Sequence, residues 1–178
     1  MLLETERLII RPFNIFDLDD FFEYAKSPDV GPNAGWKPHE SKRESLAVLE
    51  KFCESPYEFA IYHKNDHKVI GSVGVSPDRF RNYPEAKSIG YCMSKAYWGQ
   101  GLMTEVVKSV LNYYFTKTNT FIISVNHYDF NSRSRRVIEK CGFICEGTLR
   151  FAARTYNGQV FDLVTYSLTR NEFFKTTF

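Results

Sequence analysis

The chain contains the stretch Tyr97-Trp98-Gly99-Gln100-Gly101-Leu102-Met103-Thr104-Glu105, which follows a strand-like run over residues 88–94 and leads into an amphipathic helix pattern. Two glycines two residues apart allow a tight turn that a ligand can approach without meeting a side chain. The start of the helix directs N–H groups and the positive end of its dipole towards that turn. This combination is typical of a pyrophosphate-binding site. The alternative is a glycine loop that only connects a strand to a helix.

The spacing around the two glycines excludes two other phosphate-binding motifs. A Walker loop requires Lys and then Ser or Thr directly after its second glycine, whereas Leu102 and Met103 follow Gly101 here. A dinucleotide fingerprint requires three glycines near the start of a βαβ unit, whereas this turn has two and lies past the middle of the chain. We therefore disfavour a nucleotide-binding protein.

The composition indicates one globular domain over residues 1–178. The 43% hydrophobic and 25% charged content is ordinary, and 16 Phe and 11 Tyr suit an α/β core with aromatic walls around a ligand cleft. A formal net charge of +2 is too small to indicate a nucleic-acid partner. The four cysteines lack the paired CxxC or His spacing of a zinc site, so we expect no metal.

Neither the interior of the sequence nor its first residues indicate a membrane or secretory protein. No apolar run approaches the about 18 residues that a membrane span needs, so we expect no membrane partner. Residues 1–7 are charged and lack the apolar core of a signal peptide. We therefore expect a cytoplasmic protein with reduced thiols.

The apolar periodicity predicts an α/β fold with the element order β-α-α-β-β-β-α-β-α-β-β and a sheet of mixed strand direction. Asn65-Asp66 and Asn157-Gly158 are expected hairpin turns, Gly142 is expected to end a helix, and Ser41 and Glu44 have capping-box spacing. The predicted strands cover residues 7–13, 57–63, 69–75, 86–94, 121–126, 143–154 and 161–168. The predicted helices cover residues 17–26, 41–54, 100–116 and 131–141, with an irregular loop over 27–39.

A second motif lies downstream of the glycine turn, at Asn131-Ser132-Arg133-Ser134-Arg135-Arg136-Val137-Ile138-Glu139-Lys140-Cys141-Gly142-Phe143. It closely resembles the signature N-x-x-S-x-x-V-x-E-K-x-G-F. With the glycine turn and the order of elements, it makes the chain similar to the GNAT N-acetyltransferases, in the branch of the ribosomal-protein N-terminal acetyltransferases. Residues 35–39 and 146–150 also resemble that branch, and the resemblance spans nearly the whole chain.

The resemblance implies the GNAT fold, a mostly antiparallel central sheet that splays at its middle strands, with helices on both faces. Acetyl-CoA would lie in the split, its pyrophosphate on the glycine turn and its pantetheine arm paired with the preceding strand like an added strand. The implied pantetheine residues are Cys92, Met93 and Ser94, and the implied phosphate residues are Trp98, Gly99, Gln100, Gly101, Leu102, Met103 and Thr104. Trp98 and Met103 depart from the Arg or Gln and the Gly or Ala that the superfamily often carries there.

The second motif supplies candidates for the transfer step itself. The resemblance gives Asn131 a hydrogen bond to the pantetheine arm, whereas the residues alone favour a helix N-cap, and both roles can coexist. It gives Ser134 the protonation of the departing thiolate, and Ser134 shares a helix face with Asn131. Arg136, with Arg133 and Lys140, would reach the phosphates of CoA or form a solvated helix face, and this choice stays open.

A general base is harder to identify from the sequence. Glu146 is our leading candidate, with Asp162 and His39 as further possibilities, whereas Arg154 occupies a position at which some relatives carry an acid. An α-amine has a pKa of about 8, against about 10.4 for a lysine side chain, so it is more often neutral at pH 7. A protein without a strong base would therefore favour a peptide N-terminus or another amine of low pKa.

The acceptor would be selected by the front loop over residues 33–39 and by the late hairpin. Trp36, His39 and Tyr156 are the expected contacts, and a core position is an equally good interpretation for Trp36. The predicted function is acetyl transfer from acetyl-CoA to a protein N-terminal amine or a small-molecule amine, by direct attack in a ternary complex. The alternative is a non-catalytic acyl-CoA-binding or sensory domain of the same fold. A homodimer is also expected from the family.

Overall fold

The computed structural model describes the backbone of residues 1–177 and the side chains up to Lys175. Eight strands form one sheet in the order β1-β2-β3-β4-β5-β6-β8-β7. The pairs β1–β2, β2–β3, β3–β4, β6–β8 and β7–β8 are antiparallel, and β5 and β6 are parallel. The strands are β1 (Leu3–Glu4), β2 (Leu8–Pro12), β3 (Glu58–His63), β4 (Lys68–Pro77), β5 (Ala86–Met93), β6 (Ile122–Tyr128), β7 (Ile144–Arg154) and β8 (Val160–Thr169).

Six α-helices accompany the sheet in the described part of the chain. They are α1 (Leu18–Ala25), α2 (Gly31–Ala34), α3 (Lys42–Glu54), α4 (Leu102–Lys117), α5 (Ser132–Lys140) and α6 (Arg170–Thr177). The α/β class and the mostly antiparallel sheet confirm the predicted fold, and all four predicted helices are present. The elements β1, α2 and α6 were not predicted: β1 has two residues, α2 is a single turn, and α6 follows β8 without a break.

The chain forms two compact units. The first comprises Met1–Gly74 and Tyr91–Val106, and the second comprises Val75–Gly90 and the chain from Val107 onwards. Three elements begin in one unit and end in the other: β4, β5 and α4. The two units are therefore built from interleaved segments of the chain and do not follow one another in sequence.

The first unit has an apolar cluster between its strands and its first helices. Phe13, Phe21, Tyr24 and Leu49 are buried there with Cys92, and Trp36 and Trp98 pack against the cluster from positions that are partly exposed. Strand β4 carries one extra residue opposite the step from Ile61 to Tyr62, a β-bulge. Next to this bulge Gly71 approaches β5 so closely that a Cβ at Gly71 would lie 2.3 Å from the Cys92 carbonyl oxygen.

The second unit contains the parallel pair and the late hairpin. Strand β5 pairs with β6 from Ala86 to Ser88 only, although β6 continues to Tyr128 in its pairing with β8. A short parallel pairing between long strands is what a sheet splayed at its middle requires. Strand β7 lies at the end of the strand order, and all its residues but one are exposed. Over residues 1–177, no helix is long and apolar enough to cross a membrane.

Candidate functional site

The glycine turn between β5 and α4 has the backbone that its sequence predicts. A 3₁₀ turn over Lys95–Tyr97 precedes Gly99 and Gly101, and both glycines have φ +77°, a left-handed conformation that other residues rarely adopt. A Cβ at Gly99 would meet nothing within 4 Å, and a Cβ at Gly101 would meet only the Arg7 guanidinium, at 3.8 Å. Glycine is therefore required for the conformation, and the space beside it is open.

Helix α4 begins directly after the turn. The Glu105 N–H donates to the Gly101 carbonyl at 3.1 Å and closes the first helical turn. The first N–H groups of any α-helix have no carbonyl one turn earlier within the helix. The turn and the helix start together therefore offer backbone donors and a positive dipole end beside two glycines, as an anion site needs.

Arg7 fastens this helix start to the beginning of β2. Its guanidinium donates to the Glu105 carboxylate at 2.8 Å and to the Gln100 carbonyl at 3.0 Å, and its backbone N–H donates to Glu105 at 3.1 Å. Burial raises the pKa of Glu105, but hydrogen bonds from Thr5 and Arg7 and the Arg7 charge outweigh it, so the net pKa is lowered. Glu105 is therefore ionised, and Arg7 compensates its negative charge at the helix end where an anion would bind.

The end of β5 is held by two internal hydrogen bonds. The Ser94 N–H donates to the Ile70 carbonyl at 2.7 Å, and the Trp98 indole N–H donates to the Met93 carbonyl at 2.7 Å. These bonds use two of the backbone groups that the family resemblance assigns to pantetheine. They also explain the tryptophan at position 98: its ring packs on the apolar cluster and its N–H fixes the strand end.

Cys92 behaves as a packed residue rather than as a nucleophile. Its thiol is buried and lies 3.2 Å from the Ser72 hydroxyl. Burial raises the pKa of Cys92 to about 11, although the Ser72 contacts act in the opposite direction. The thiol is therefore protonated near neutral pH, which argues against an acetyl-cysteine intermediate.

In the second unit, Asn131 caps α5 as predicted. Its side-chain oxygen accepts a hydrogen bond from the Ser134 N–H at 3.1 Å, and Asn131 and Ser134 are both partly exposed. The helix ends at Gly142, which has φ +82° and donates its N–H to the Glu139 carbonyl at 3.1 Å. The N-cap interpretation of Asn131 is thus confirmed for the amide oxygen. Arg136 is exposed on the same helix.

The two acidic candidates for a base in the second unit both have internal partners. The Glu146 carboxylate is paired with the Arg81 guanidinium and accepts a hydrogen bond from the Ser167 hydroxyl at 2.8 Å. The Asp162 carboxylate accepts a hydrogen bond at 2.7 Å from the N–H of Phe151, a residue with φ +51° at a β-bulge of β7. Both carboxylates therefore have a local structural role.

The front-loop candidates pack onto the first unit. The Trp36 ring lies against the apolar cluster, with its indole N–H 3.5 Å from the Ala25 carbonyl, which supports the core interpretation. His39 lies with Nδ1 2.7 Å from the buried Ser45 hydroxyl. Burial lowers the pKa of His39, and the nearby Glu44 charge offsets this only in part. The imidazole is therefore neutral near pH 7.

Tyr156 lies in the second unit, at the hairpin between β7 and β8, and is exposed. The predicted residues thus divide between the two units. The first unit holds Trp36, His39, Cys92–Ser94 and the glycine turn with Leu102, Met103 and Thr104. The second holds Asn131, Ser134, Arg136, Glu146 and Tyr156.

Three polar side chains in the first unit were not predicted from the sequence as candidate site residues. Glu58 at the start of β3, Tyr24 on α1 and Ser72 on β4 are all at least partly buried. Strand alternation could have drawn attention to Glu58, because it puts this charged residue on the same face as the buried Ala60. The described residues contain no group of three or more His, Cys, Asp or Glu side chains that could hold a metal ion.

Comparison with known proteins gives a consistent result. The family model described as "Acetyltransferase (GNAT) domain" matches residues 7–144. The chain is similar to the uncharacterized N-acetyltransferase p20 of Bacillus licheniformis, with 26% identity over 96% of this chain and 97% of p20.

Solved structures agree on the fold. A GNAT-family acetyltransferase from Bacillus anthracis superposes with a TM-score of 0.84 at 22% identity, covering 96% of this chain and 99% of that one. RimL, a ribosomal L7/L12 α-N-protein acetyltransferase solved with coenzyme A, superposes with a TM-score of 0.79 at 17% identity, covering 95% and 98%. The glycine turn, the motif that begins at Asn131 and the family model lead to one conclusion: the chain belongs to the GNAT acetyltransferase family.

Proposed function

We propose that this chain transfers the acetyl group of acetyl-CoA to a primary amine, by direct attack of the amine in a ternary complex. The observation that carries the proposal is the turn at Gly99 and Gly101, where two left-handed glycines precede the N-terminus of α4. Backbone N–H groups of about Trp98 to Met103 would bind the pyrophosphate, with the Thr104 hydroxyl as an added donor, and the strand end over Cys92–Ser94 would bind the pantetheine arm. RimL, which shares the fold, was solved with coenzyme A.

Residues 1–178 would act as one N-acetyltransferase domain. The strands β4 and β5 and the helix α4 each lie partly in one compact unit and partly in the other, which supports a single domain. A cytoplasmic location and a homodimer stay predictions.

Two residues at the start of α5, its N-cap Asn131 and Ser134, are assigned to the acetyl transfer. The Asn131 amide would bind the pantetheine arm, and the Ser134 hydroxyl would donate a proton to the departing thiolate. Their spacing supports this pairing, because the cap bond to the Ser134 N–H at 3.1 Å fixes one residue relative to the other. Arg136 is exposed and would contact the phosphates of CoA.

The acceptor would be a protein N-terminal α-amine or a small-molecule amine. RimL, with a TM-score of 0.79, is named as an α-N-protein acetyltransferase, which supports the first class. An α-amine also needs less help in losing a proton than a lysine side chain, because its pKa is lower by about two units. Tyr156, Trp36 and His39 are the proposed acceptor contacts.

The proposal is tested by measuring thiol release from acetyl-CoA with a panel of amines. The panel contains peptides with different free N-termini, lysine peptides with blocked N-termini, polyamines and aminoglycosides. We expect release that depends on one amine class. Acetyl-CoA binding without release for any amine would contradict the proposal and would support a binding-only domain.

Two variants separate cosubstrate binding from transfer. Gly101→Glu should abolish CoA binding measured by calorimetry, because it adds a side chain and a negative charge where the phosphates would lie. Gly158→Glu is the matched control, since Gly158 also has positive φ and open space but lies in the late hairpin. Ser134→Ala should lower turnover more than CoA binding, and an equal loss of both would remove the role assigned to Ser134.

A further inference from the structure

Glu58 is a partly buried carboxylate without a positive partner. No ion pair or hydrogen bond involves its carboxylate within the part of the chain that the structure describes. The carboxylate instead lies over the backbone of Gly74, where a Cβ would be 2.8 Å from each of its two oxygens. Burial raises the pKa of Glu58. Such a group lowers the stability of the folded protein when it is ionised, so its presence calls for a reason other than folding.

A second unsatisfied polar group lies on the same side of the sheet. The Tyr24 hydroxyl is buried and has no hydrogen-bond partner among the described residues. Burial raises the pKa of Tyr24 well above its ordinary value, and the Cys92 thiol and the Glu58 carboxyl add to this effect, whereas the Ser72 hydroxyl opposes it. A buried hydroxyl left without a partner costs about 1–3 kcal/mol, so Tyr24 adds a second costly polar group near Glu58.

The β3–β4 ladder carries small side chains next to Glu58. Glu58 is opposite Gly74, and Ala60 is opposite Ser72, so these four residues share one face of the β3–β4 ladder. The Ser72 hydroxyl contacts the Cys92 thiol at 3.2 Å. We call the four polar groups Tyr24, Glu58, Ser72 and Cys92 the Glu58 patch.

Cys92 connects the Glu58 patch to the proposed cosubstrate site. It belongs to the strand end that would bind the pantetheine arm, and its thiol belongs to the patch through Ser72. An amine held by the Glu58 patch would therefore lie beside the strand that carries the thioester. An alkylammonium group suits such a patch, because it can donate to a carboxylate and to hydroxyl oxygens at the same time.

We infer that Glu58 is the general base of the acetyl transfer: it binds the acceptor as an ammonium ion and takes one proton from it. This inference rests on the proposed function. The Glu58 carboxylate accepts the proton, the neutral amine nitrogen forms a bond to the thioester carbonyl carbon, and the carbon–sulfur bond breaks. The nitrogen then loses its second proton and the thiolate takes up one, so these two transfers balance, and Glu58 releases the first proton to solvent. The products are the acetylated amine and free CoA thiol.

The ionisable groups around the Glu58 patch do not titrate in the same pH range. The pKa of Cys92 is raised to about 11 and that of Tyr24 is raised as well, so both are neutral near pH 7. Arg11 and Asp17 form a mutual ion pair at 2.7 Å. The acidic limb of a pH–rate profile therefore reports a base such as Glu58 rather than these neighbours.

The test is the Glu58→Gln variant, which keeps the size of the side chain but cannot accept the proton. We expect kcat/KM to fall about 100-fold or more, as for other general bases, and the acidic limb of its pH profile to flatten. Binding of CoA and the melting temperature should not decrease. The matched control is Glu54→Gln, at an exposed position that ends α3, and it should behave as the wild type.

An acceptor series makes the test specific to proton removal. A fluorinated analogue of the accepted amine has a lower pKa and arrives mostly neutral, so the deficit of Glu58→Gln should shrink with it. If the variant keeps the wild-type pH profile, or if the deficit is the same for every amine, the inference is wrong. If the wild-type protein transfers no acetyl group to any amine, the proposed function itself is wrong. Failure of the Glu58 inference can therefore be distinguished from failure of the proposed function.

Discussion

The start of β3 and the start of β7 each carry a glutamate, and the two are held in opposite ways. Glu146 on β7 is exposed, pairs with Arg81 and accepts a hydrogen bond from Ser167. Glu58 on β3 is partly buried and makes no ion pair within the described residues. The sequence drew attention to Glu146, because it lies in a stretch that resembles the family. The structure draws attention to Glu58, because an unpartnered carboxylate is costly to keep.

This difference separates a satisfied carboxylate from one that is prepared for a ligand. Glu146 has what a structural acid needs, namely a cation and a hydroxyl donor at its oxygens. A proton-accepting group must instead have a free oxygen and a pKa closer to that of its task, and burial raises the pKa of Glu58 in that direction. Glu58, which lacks a cation and a hydroxyl donor among the described residues, is therefore the better candidate for the general base than Glu146, which has both.

The largest expected effect is on turnover. With one accepted amine, Glu58→Gln should lose about 100-fold or more in kcat/KM, whereas Glu146→Gln should lose less than about tenfold. Steady-state kinetics over a range of pH values give both numbers in one experiment. A larger loss of kcat/KM in Glu146→Gln than in Glu58→Gln would show that Glu146 is the base.

The second expected effect is on stability, and its sign differs between the two residues. Glu146→Gln should lower the free energy of unfolding by about 1 kcal/mol, because it weakens a partly exposed ion pair. Glu58 has a raised pKa in the folded state, so its stabilising contribution is present at low pH and is lost as pH rises through that pKa.

Removing the Glu58 charge should therefore help most at higher pH. We define the gap as the melting temperature of Glu58→Gln minus that of the wild type. This gap should widen between pH 4 and pH 8. Thermal unfolding followed by circular dichroism measures this gap. A gap that narrows as pH rises would mean that the ionised carboxylate has a stabilising partner after all.

The smallest expected effect is that of Tyr24→Phe, which removes the unpartnered hydroxyl. The free energy of unfolding should stay the same or rise slightly, because the Tyr24 hydroxyl that the substitution removes has no hydrogen-bond partner in the described part of the folded protein. The KM for the amine should rise about two- to tenfold, since one hydrogen bond contributes about 0.5–1.5 kcal/mol. A marked loss of stability with an unchanged KM would show that the hydroxyl serves the core rather than the acceptor.

Local signals made much of the fold predictable. Gly99, Gly101 and Gly142 all have the positive φ that their positions indicated, and Asn131 caps the helix that it precedes. The sequence also contains a helix-start signal for α6, because Thr169 and Glu172 have capping-box spacing. In the structure, the Thr169 N–H donates to the Glu172 carboxylate at 2.8 Å. These features depend on residues within one or two turns of each other, so sequence alone can reveal them.

The Glu58 patch could not be predicted in the same way. Alternation along β3 assigns Glu58 to a face, but it does not show that Gly74 leaves room above the sheet or that α1 brings Tyr24 to the same side. It also does not show which carboxylate has a cation nearby, because Arg81 is 65 residues from Glu146 in sequence. Base candidates therefore depend on long-range packing, whereas turns and caps do not.

The bonds from Arg7 to the glycine turn have a consequence for how the protein folds. Arg7 and Glu105 are 98 residues apart in sequence, so their ion pair closes a long loop and must form after much of the chain has collapsed. During synthesis, the residue that fastens the turn leaves the ribosome long before the turn itself. A partly folded chain whose first strand has not yet docked would keep much of its secondary structure but lack a finished anion site. The proposed capacity to bind CoA would thus be acquired late in folding and would be lost early when the protein unfolds.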